Sequence, residues 1–177
     1  FRCITGVYPP TSGKITFKGK EINKLMPHDI CVLGITNTHQ VVKPFPEMTV
    51  LDNVRVGAFF GKGWVNGEVK DATKEAMRVL DFTGLASKAS FLARNLTLPD
   101  RKRLEVARAL ATRPDLLLLD EVVAGLNPTE TDMMIQLIRQ LRESGITIFM
   151  VEHVMRAVLT VSDRLIVLNL GEKIAEG

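Results

Sequence analysis

Cysteine is scarce in this chain: Cys3 and Cys31 are the two among 177 residues. Two thiols are too few for a disulfide framework, so the small disulfide-stapled secreted class is set aside and a reducing cytosol is the default expectation. No apolar run approaches the roughly 18 residues that a bilayer-spanning helix needs, and no secretory signal pattern is visible. A dense block of lysine and arginine is missing as well. Arg101-Lys102-Arg103 is the tightest basic cluster, and it lies inside a helical pattern. The net charge of +3 therefore permits contact with nucleic acid or a membrane surface without arguing for either. Internal repeats and low-complexity tracts are not evident.

What is there reads as one domain's worth of chain, 46% apolar and 24% charged, long enough to bury a sizeable core. It opens at Phe1 without a starting Met and stops at Gly177 after a hairpin-like segment, and is expected to be a piece of something longer. Leu116 to Leu119 form an apolar run between Pro114 and two carboxylates, Asp120 and Glu121. Such a run predicts a buried central strand of a parallel sheet. Ligands of open α/β sheets bind at the carboxyl ends of the strands. A strand ending in Asp-Glu suits a phosphate-cleaving site, with the Asp on Mg²⁺ and the Glu on the attacking water. A buried strand leaving its sheet through two solvated acids is the competing reading of that stretch.

Along the chain, Phe1 to Gly6 reads as the tail of a helix closed by glycine. Lys14 to Lys18 alternates as a strand and turns at Gly19-Lys20 into a short piece at Glu21-Ile22. A short helix is expected over Pro27 to Leu33, a strand over Gly34 to Thr38 with Gln40 after it, and a loop over Val41 to Glu47. Thr49 caps a helix from Val50 to about Phe60, Gly61 to Gly67 is a break, and a second helix runs from Glu68 to about Thr83. Pro99 opens a third through Ala111. Beyond the central strand, a helix from Pro128 to about Ser144, a second buried strand over Ile146 to Val151 ending in Glu152-His153, a helix over Met155 to Val161, and a strand over Arg164 to Leu168 complete the pattern. This is a strand–helix alternation, residues 1–47 and 112–177, interrupted by a helical insertion at about 48–111.

Four features stand in order: Gln40 after a strand, Leu96 to Asp100 leading into a helix, Asp120-Glu121 ending a strand, and His153 ending the next. With ITGVYPPTSGKITFKGKEI, FPEMTVLDNV, RKRLEVARALATRPDLLLLDE, AGLNPTET, VEHVM and SDRLIVLNLGEKIAEG, the chain resembles the ATP-binding subunits of ABC transporters over essentially its whole length. Within them it is similar to importers of branched-chain amino acids, and a urea or amide importer would look much the same. The resemblance implies an α/β, P-loop NTPase-like fold with a mostly parallel core sheet and a helical subdomain. It implies ATP and Mg²⁺ as ligands, a second ATPase subunit (the same chain or a different one) and integral membrane permease subunits as partners, and a peripheral place on the cytoplasmic face of the membrane. Nucleic acid is not implied, since ABC ATPases of that kind carry long coiled-coil or zinc-binding insertions for which this chain has no room.

Position by position, the resemblance makes Gln40 the loop glutamine that contacts Mg²⁺ and the attacking water. Asp120 becomes the Mg²⁺-linked Walker B aspartate, Glu121 the general base and His153 the switch histidine on the γ-phosphate. Asn127 lies in the Ala124-Gly125-Leu126-Asn127 loop that crosses the dimer interface. Thr97, Leu98 and Asp100 lie in the signature loop, which reaches the partner's nucleotide. Three departures accompany it. The phosphate-binding pattern G-x-x-x-x-G-K-[ST] does not occur in the 177 residues. The signature LSGGQ stands as Leu96-Thr97-Leu98-Pro99-Asp100, in which Pro99 has no N–H to donate and Asp100 brings a negative charge for Arg101 and Lys102 to offset. Val122 replaces the proline usual after the catalytic Glu. The second departure opens an alternative: a catalytically weakened subunit with a structural or regulatory role beside a competent partner. From the first departure, the 177 residues by themselves bind Mg-ATP weakly, because the phosphate loop supplies most phosphate contacts. Calorimetric titration checks this, and micromolar affinity overturns it.

Overall fold

A computed structural model describes residues 1–39 and 43–177; Gln40, Val41 and Val42 lie outside the described residues. The leucine run is β4 (Leu116–Asp120), the middle strand of a three-stranded parallel sheet between β3 (Ile35–Asn37) and β5 (Thr147–Val151). The register sets Leu118 opposite Asn37 on one side and Phe149 on the other, and Asp120 opposite Val151. Parallel neighbours need long crossovers. Helices supply them: α6 (Pro128–Glu143) carries the chain from β4 to β5, and an all-helical passage carries it from β3 to β4.

Successive side chains of a strand face opposite ways, and β4 uses both faces. Leu117, Leu118 and Leu119 are all fully buried. Leu117 and Leu119 enter the large helical core, while Leu118 packs with Ile22, Ile30 and Ile35 in a smaller cluster on the other face. That smaller side holds α1 (Pro27–Leu33) and the two-stranded ribbon of β1 (Thr16–Phe17) and β2 (Lys20–Glu21). Beyond the sheet, α7 (Met155–Val161) packs on α6 through the buried Ala157 and Val161, and β6 (Ile166–Asn169) pairs antiparallel with β7 (Glu172–Glu176) as a separate exposed hairpin.

The helical passage consists of α2 (Val50–Phe60), α3 (Lys62–Val65), α4 (Ala72–Phe82) and α5 (Leu98–Ala111). Thr49 caps α2 by accepting the Asp52 N–H at 3.0 Å, and Asp71 caps α4 by accepting from Thr73 and Lys74. Buried Asn53 on α2 bonds both the N–H and the carbonyl of Phe45, at 2.8 and 3.0 Å, and so pins the loop before the helix. Glu75 on α4 is paired with Arg78 and with Arg113, which leads into β4. Burial pushes its carboxyl up, but those two guanidinium groups outweigh it and bring the pKa down to about 2. Two glycines let the α2 segment approach the end of α5 closely. A β-carbon on Gly57 would stand 2.3 Å from the Arg108 carbonyl, and one on Gly61 would stand 2.3 Å from the Thr112 Cα.

Several expectations change in detail. Phe1 to Gly6 makes one helical turn, with Thr5 N–H on the Phe1 carbonyl and Val7 N–H on that of Arg2, and not a regular helix. Within Lys14 to Lys18, Thr16 and Phe17 form the paired strand. The expected break at Gly61 to Gly67 contains α3, because Trp64, Val65 and Asn66 donate back to Gly61 and Lys62. The next helix starts at Ala72 instead of Glu68, where Asp71 can cap it. β5 is not buried throughout. Ile148 and Met150 pack on the main core, whereas Phe149 and Val151 are exposed; Phe1, at the rim of the smaller cluster, meets the Phe149 ring edge-on at 5.3 Å without covering it. The arrangement of α2 against α5 predicts that Gly57→Ala lowers stability by about 1–3 kcal/mol through overpacking, read as a shifted midpoint in urea denaturation.

Candidate functional site

The carboxyl ends of β4 and β5 bring Asp120, Glu121 and His153 together. Thr38, fully buried, sits beside the end of β4 and accepts the Asp120 N–H on its hydroxyl oxygen at 3.0 Å, while its own N–H donates 2.9 Å to the Leu118 carbonyl. The sheet pairing therefore continues past β3 through a side chain. Glu121 donates its N–H to the Val151 carbonyl at 3.0 Å. It then leaves the strand with φ +49°, a left-handed conformation that a β-carbon opposes. Its Oε1 stands 3.8 Å from His153 Nδ1, within ion-pair reach and beyond direct hydrogen-bonding distance. Asp120 and Glu121 are half-buried and His153 is exposed. Gln40 lies outside the described residues. Its neighbour His39 is tied down through its N–H, 2.9 Å from Glu105 Oε1.

Behind these residues lies a layer of charge, buried at Lys102 and Glu105 and half-buried at Glu152. Glu152 accepts the Val123 N–H at 2.9 Å on one oxygen and the His153 N–H at 3.2 Å on the other. Lys102 on α5 is 6% exposed and donates 2.8 Å to the Glu121 carbonyl. Burial pulls its pKa below the usual lysine range, opposed by the carboxylates of Glu152, Glu105 and Glu121. Glu105, one turn further along α5, is pushed up to about 7 by burial, against the His39 N–H and the charges of Arg108 and Lys102; Asp120 adds to the upward push.

Thr97, Leu98, Asp100 and Asn127 form a second group at two helix starts. Thr97 is the residue before α5, and its hydroxyl donates 2.8 Å to Asp100 Oδ2. Asn127 caps α6 in a reciprocal pair: its Oδ1 accepts the Glu130 N–H and its N–H donates to the Glu130 carboxylate, both at 2.9 Å. Leu98 lies over the loop before α6, 3.3 Å from where a β-carbon of Gly125 would stand. The two groups are joined by Lys102, which starts on α5 and ends on Glu121.

The charge expected on the signature loop is balanced by different residues. Arg101 donates to the carbonyls of Leu96 and Arg94, and Lys102 points at Glu121. Asp100 is 7% exposed and turns back on its own loop, where Lys88 and Thr97 bond one oxygen. Burial pushes its carboxyl up, but the bonds from Lys88 and Thr97, with the charges of Lys88 and Arg103, outweigh that and hold it below the usual range. Residues at i and i+3 share a helix face, which is why Asp100 finds Thr97 and Arg103 rather than its immediate neighbours.

From the sequence, Lys102 stands only as an offset to Asp100 and Glu152 only as a strand-end neighbour of His153, and Glu105 and Thr38 have no role at the site. A signal existed for Lys102: it stands four residues before Val106 and seven before Ala109, on the buried side of α5. Nothing local marks Thr38 or Glu152.

The sequence profile described as ABC transporter matches residues 1–124. The chain belongs to the ABC transporter family. It is 38% identical over 189 residues to the high-affinity branched-chain amino acid transport ATP-binding protein LivG of Salmonella typhimurium, covering all of this chain and 74% of that one. Among solved structures it is similar to the ADP conformation of MJ1267, an ATP-binding cassette of an ABC transporter, with TM-score 0.86 and 30% identity over 99% of this chain and 73% of the other. The dimeric bacterial ABC transporter cassette MJ0796 follows it with TM-score 0.84 and 26% identity, over 99% and 77%. The ABC fold accounts for the parallel sheet with its helical passage.

The Asp100 arrangement predicts that Lys88→Met destabilises the chain by roughly 1–2 kcal/mol at pH 7, a modest figure because Lys88 is partly exposed and screened. Asp100 has a lowered folded pKa, so this stabilisation is present above about pH 4, its unfolded range. It is lost as pH falls through the folded value. Urea denaturation over a series of falling pH from 7 checks that the gap between variant and parent narrows on acidification.

Proposed function

We propose that this chain is the ATP-hydrolysing subunit of an ABC importer for branched-chain amino acids, with Glu121 as general base. The observation that carries the proposal is the turn at Glu121: a left-handed residue at the end of the central strand, fixed through both its N–H and its carbonyl, with its carboxylate facing His153. The branched-chain substrate rests on the likeness to LivG. Glu121 accepts the proton of the water that attacks the terminal phosphate, and His153 hydrogen-bonds that phosphate. Such transfer needs positioning and charge stabilisation more than covalent help.

Asp120 fits a magnesium site of a particular kind. Among the described residues no three His, Cys, Asp or Glu side chains come together as a metal cage. Mg²⁺ is commonly held by one or two carboxylates, waters and substrate phosphates, and a single half-buried carboxylate at the strand end suits that. Asp120 would hold the Mg²⁺ there, and the ion bound with ATP would neutralise charge on the phosphates. We assign Gln40 to the same metal and water.

Thr97, Leu98, Asp100 and Asn127 are assigned to the face that meets a second ATPase subunit, identical or different, across the nucleotide. The helical stretch of about 48–111 is assigned as a subdomain, and membrane permease subunits complete the assembly. Among the described residues no helix is long and apolar enough to cross a membrane; a peripheral place on the cytoplasmic face is assigned from the likeness to transport ATP-binding subunits. A second reading, a weakened subunit beside a competent one, is favoured by α5 itself: Pro99 occupies its first turn, where the free N–H groups of a helix lie, and has no N–H to offer. The two readings differ in turnover, not in fold.

The paired carboxylates give the test. In the assembled transporter, Glu121→Gln leaves Mg-ATP binding intact and lowers hydrolysis by about 10²–10⁴-fold, because glutamine keeps the shape and cannot take the proton. Asp120→Asn instead weakens metal-dependent binding and turnover together. Equilibrium Mg-ATP binding and single-turnover hydrolysis of both variants, side by side, separate the roles. Undiminished hydrolysis by Glu121→Gln removes it as the base.

A further inference from the structure

A buried lysine whose ammonium is spent on a main-chain carbonyl is an unusual use of charge. Lys102 lies one turn inside α5, 6% exposed, with its Nζ 2.8 Å from the Glu121 carbonyl oxygen. A neutral donor would satisfy a carbonyl at lower desolvation cost. The carbonyl it holds belongs to a residue in a conformation that non-glycine side chains resist: φ is +49° at Glu121. Such a conformation persists where its surroundings over-determine it, and here they do. The Glu121 N–H is bonded to Val151, and the Glu121 carbonyl accepts from Lys102 and, at 3.2 Å, from the Ala124 N–H. Glu152 fixes the adjoining backbone at Val123 and His153. Of these restraints, the one from Lys102 comes from the helical passage; the others come from β5 and from the loop itself.

We propose that Lys102 is a positioning residue for hydrolysis, which holds the left-handed backbone at Glu121 and thereby ties the aim of its carboxylate to the first turn of α5. This rests on Glu121 being the general base. It gives the assembly a route of control within one chain. Thr97, Leu98 and Asp100 stand at the start of the same helix, so a phosphate group that draws this helix start toward itself displaces Lys102 and alters how firmly Glu121 is held. A subunit's own base thus responds to the nucleotide presented to its own α5.

The test has two parts. In the 177-residue chain, amide hydrogen exchange of Lys102→Met rises by about tenfold over residues 120–126 and is unchanged over residues 132–141 of α6. In the assembled transporter, Lys102→Met lowers kcat by about 10–100-fold, the scale of a small misplacement of a reacting group, with the KM for Mg-ATP unchanged. Lys102→Arg, which keeps the charge and a donor, recovers most of the loss. Glu121→Gln is measured alongside. If Lys102→Met turns over like the parent while Glu121→Gln is inactive, the positioning role is overturned and the base assignment stands. If Glu121→Gln hydrolyses normally, the base assignment falls and the positioning role goes with it. An equal rise in exchange over both segments marks Lys102 as a general support of the fold and also overturns the proposal. Should the methionine variant fail to fold, Lys102→Gln, polar but too short to span to the carbonyl, carries the same readings.

Discussion

The parallel pairing of β4 on both of its edges is the constraint on which the rest of this structure depends. Three leucines without exposed surface commit the strand to the middle of the sheet, and their alternation commits it to having a core on each face. Once β3 and β5 flank it in register, their carboxyl ends converge at one place. Thr38 then holds the Asp120 backbone and Val151 holds that of Glu121. The backbone that carries the two carboxylates is therefore fixed by bonds to the neighbouring strand and to the Thr38 side chain.

Around that point the protein accepts the cost of buried charge. Lys102, Glu105 and Glu152 bring one cation and two carboxyl groups behind the strand ends, and each is used on backbone: Lys102 on Glu121, Glu105 on His39, Glu152 on Val123 and His153. Unpaired, Lys102 and Glu105 would be expensive to bury, and Glu152 is half-buried beside them. Their mutual charges and their main-chain bonds compensate, and the loops carrying Asp120, Glu121 and His153 become parts of one network. The shift of Glu105 to about 7 shows that burial still outweighs its partners at that residue.

The start of α5 shows how far an altered loop can be absorbed. Pro99 fits the first turn, where a helix has no partner for its N–H groups in any case, so the fold carries no penalty for it. Asp100 would leave an uncompensated negative charge at the helix start if it stood free. Lys88 and Thr97 hold it inward, and its charge is largely spent there. The same sequence change thus leaves folding intact while altering the donors offered outward. This is the physical basis for considering a weakened subunit.

The leucine run, the cap at Thr49, the helix at Val50–Phe60, the helix start at Pro128 and the Asp-Glu pair at a strand end are all legible in the sequence, because each depends on residues within one turn or one strand of itself. The family resemblance added roles for Asp120, Glu121 and His153, and the fold sets them side by side. Boundaries were less legible. The break expected at Gly61 to Gly67 holds a short helix, and the helix expected from Glu68 waits for a cap at Asp71. Which face of β5 is covered, which cation neutralises Asp100, and why Arg101-Lys102-Arg103 is not a solvated patch were decided by the tertiary structure alone. Those outcomes depend on residues distant in sequence: Lys88 reaching Asp100, Lys102 reaching Glu121, Glu152 reaching back to Val123. A local pattern can say that a side chain is charged and on which side of a helix it falls. What that charge meets is settled when the sheet closes and α5 is laid across its end.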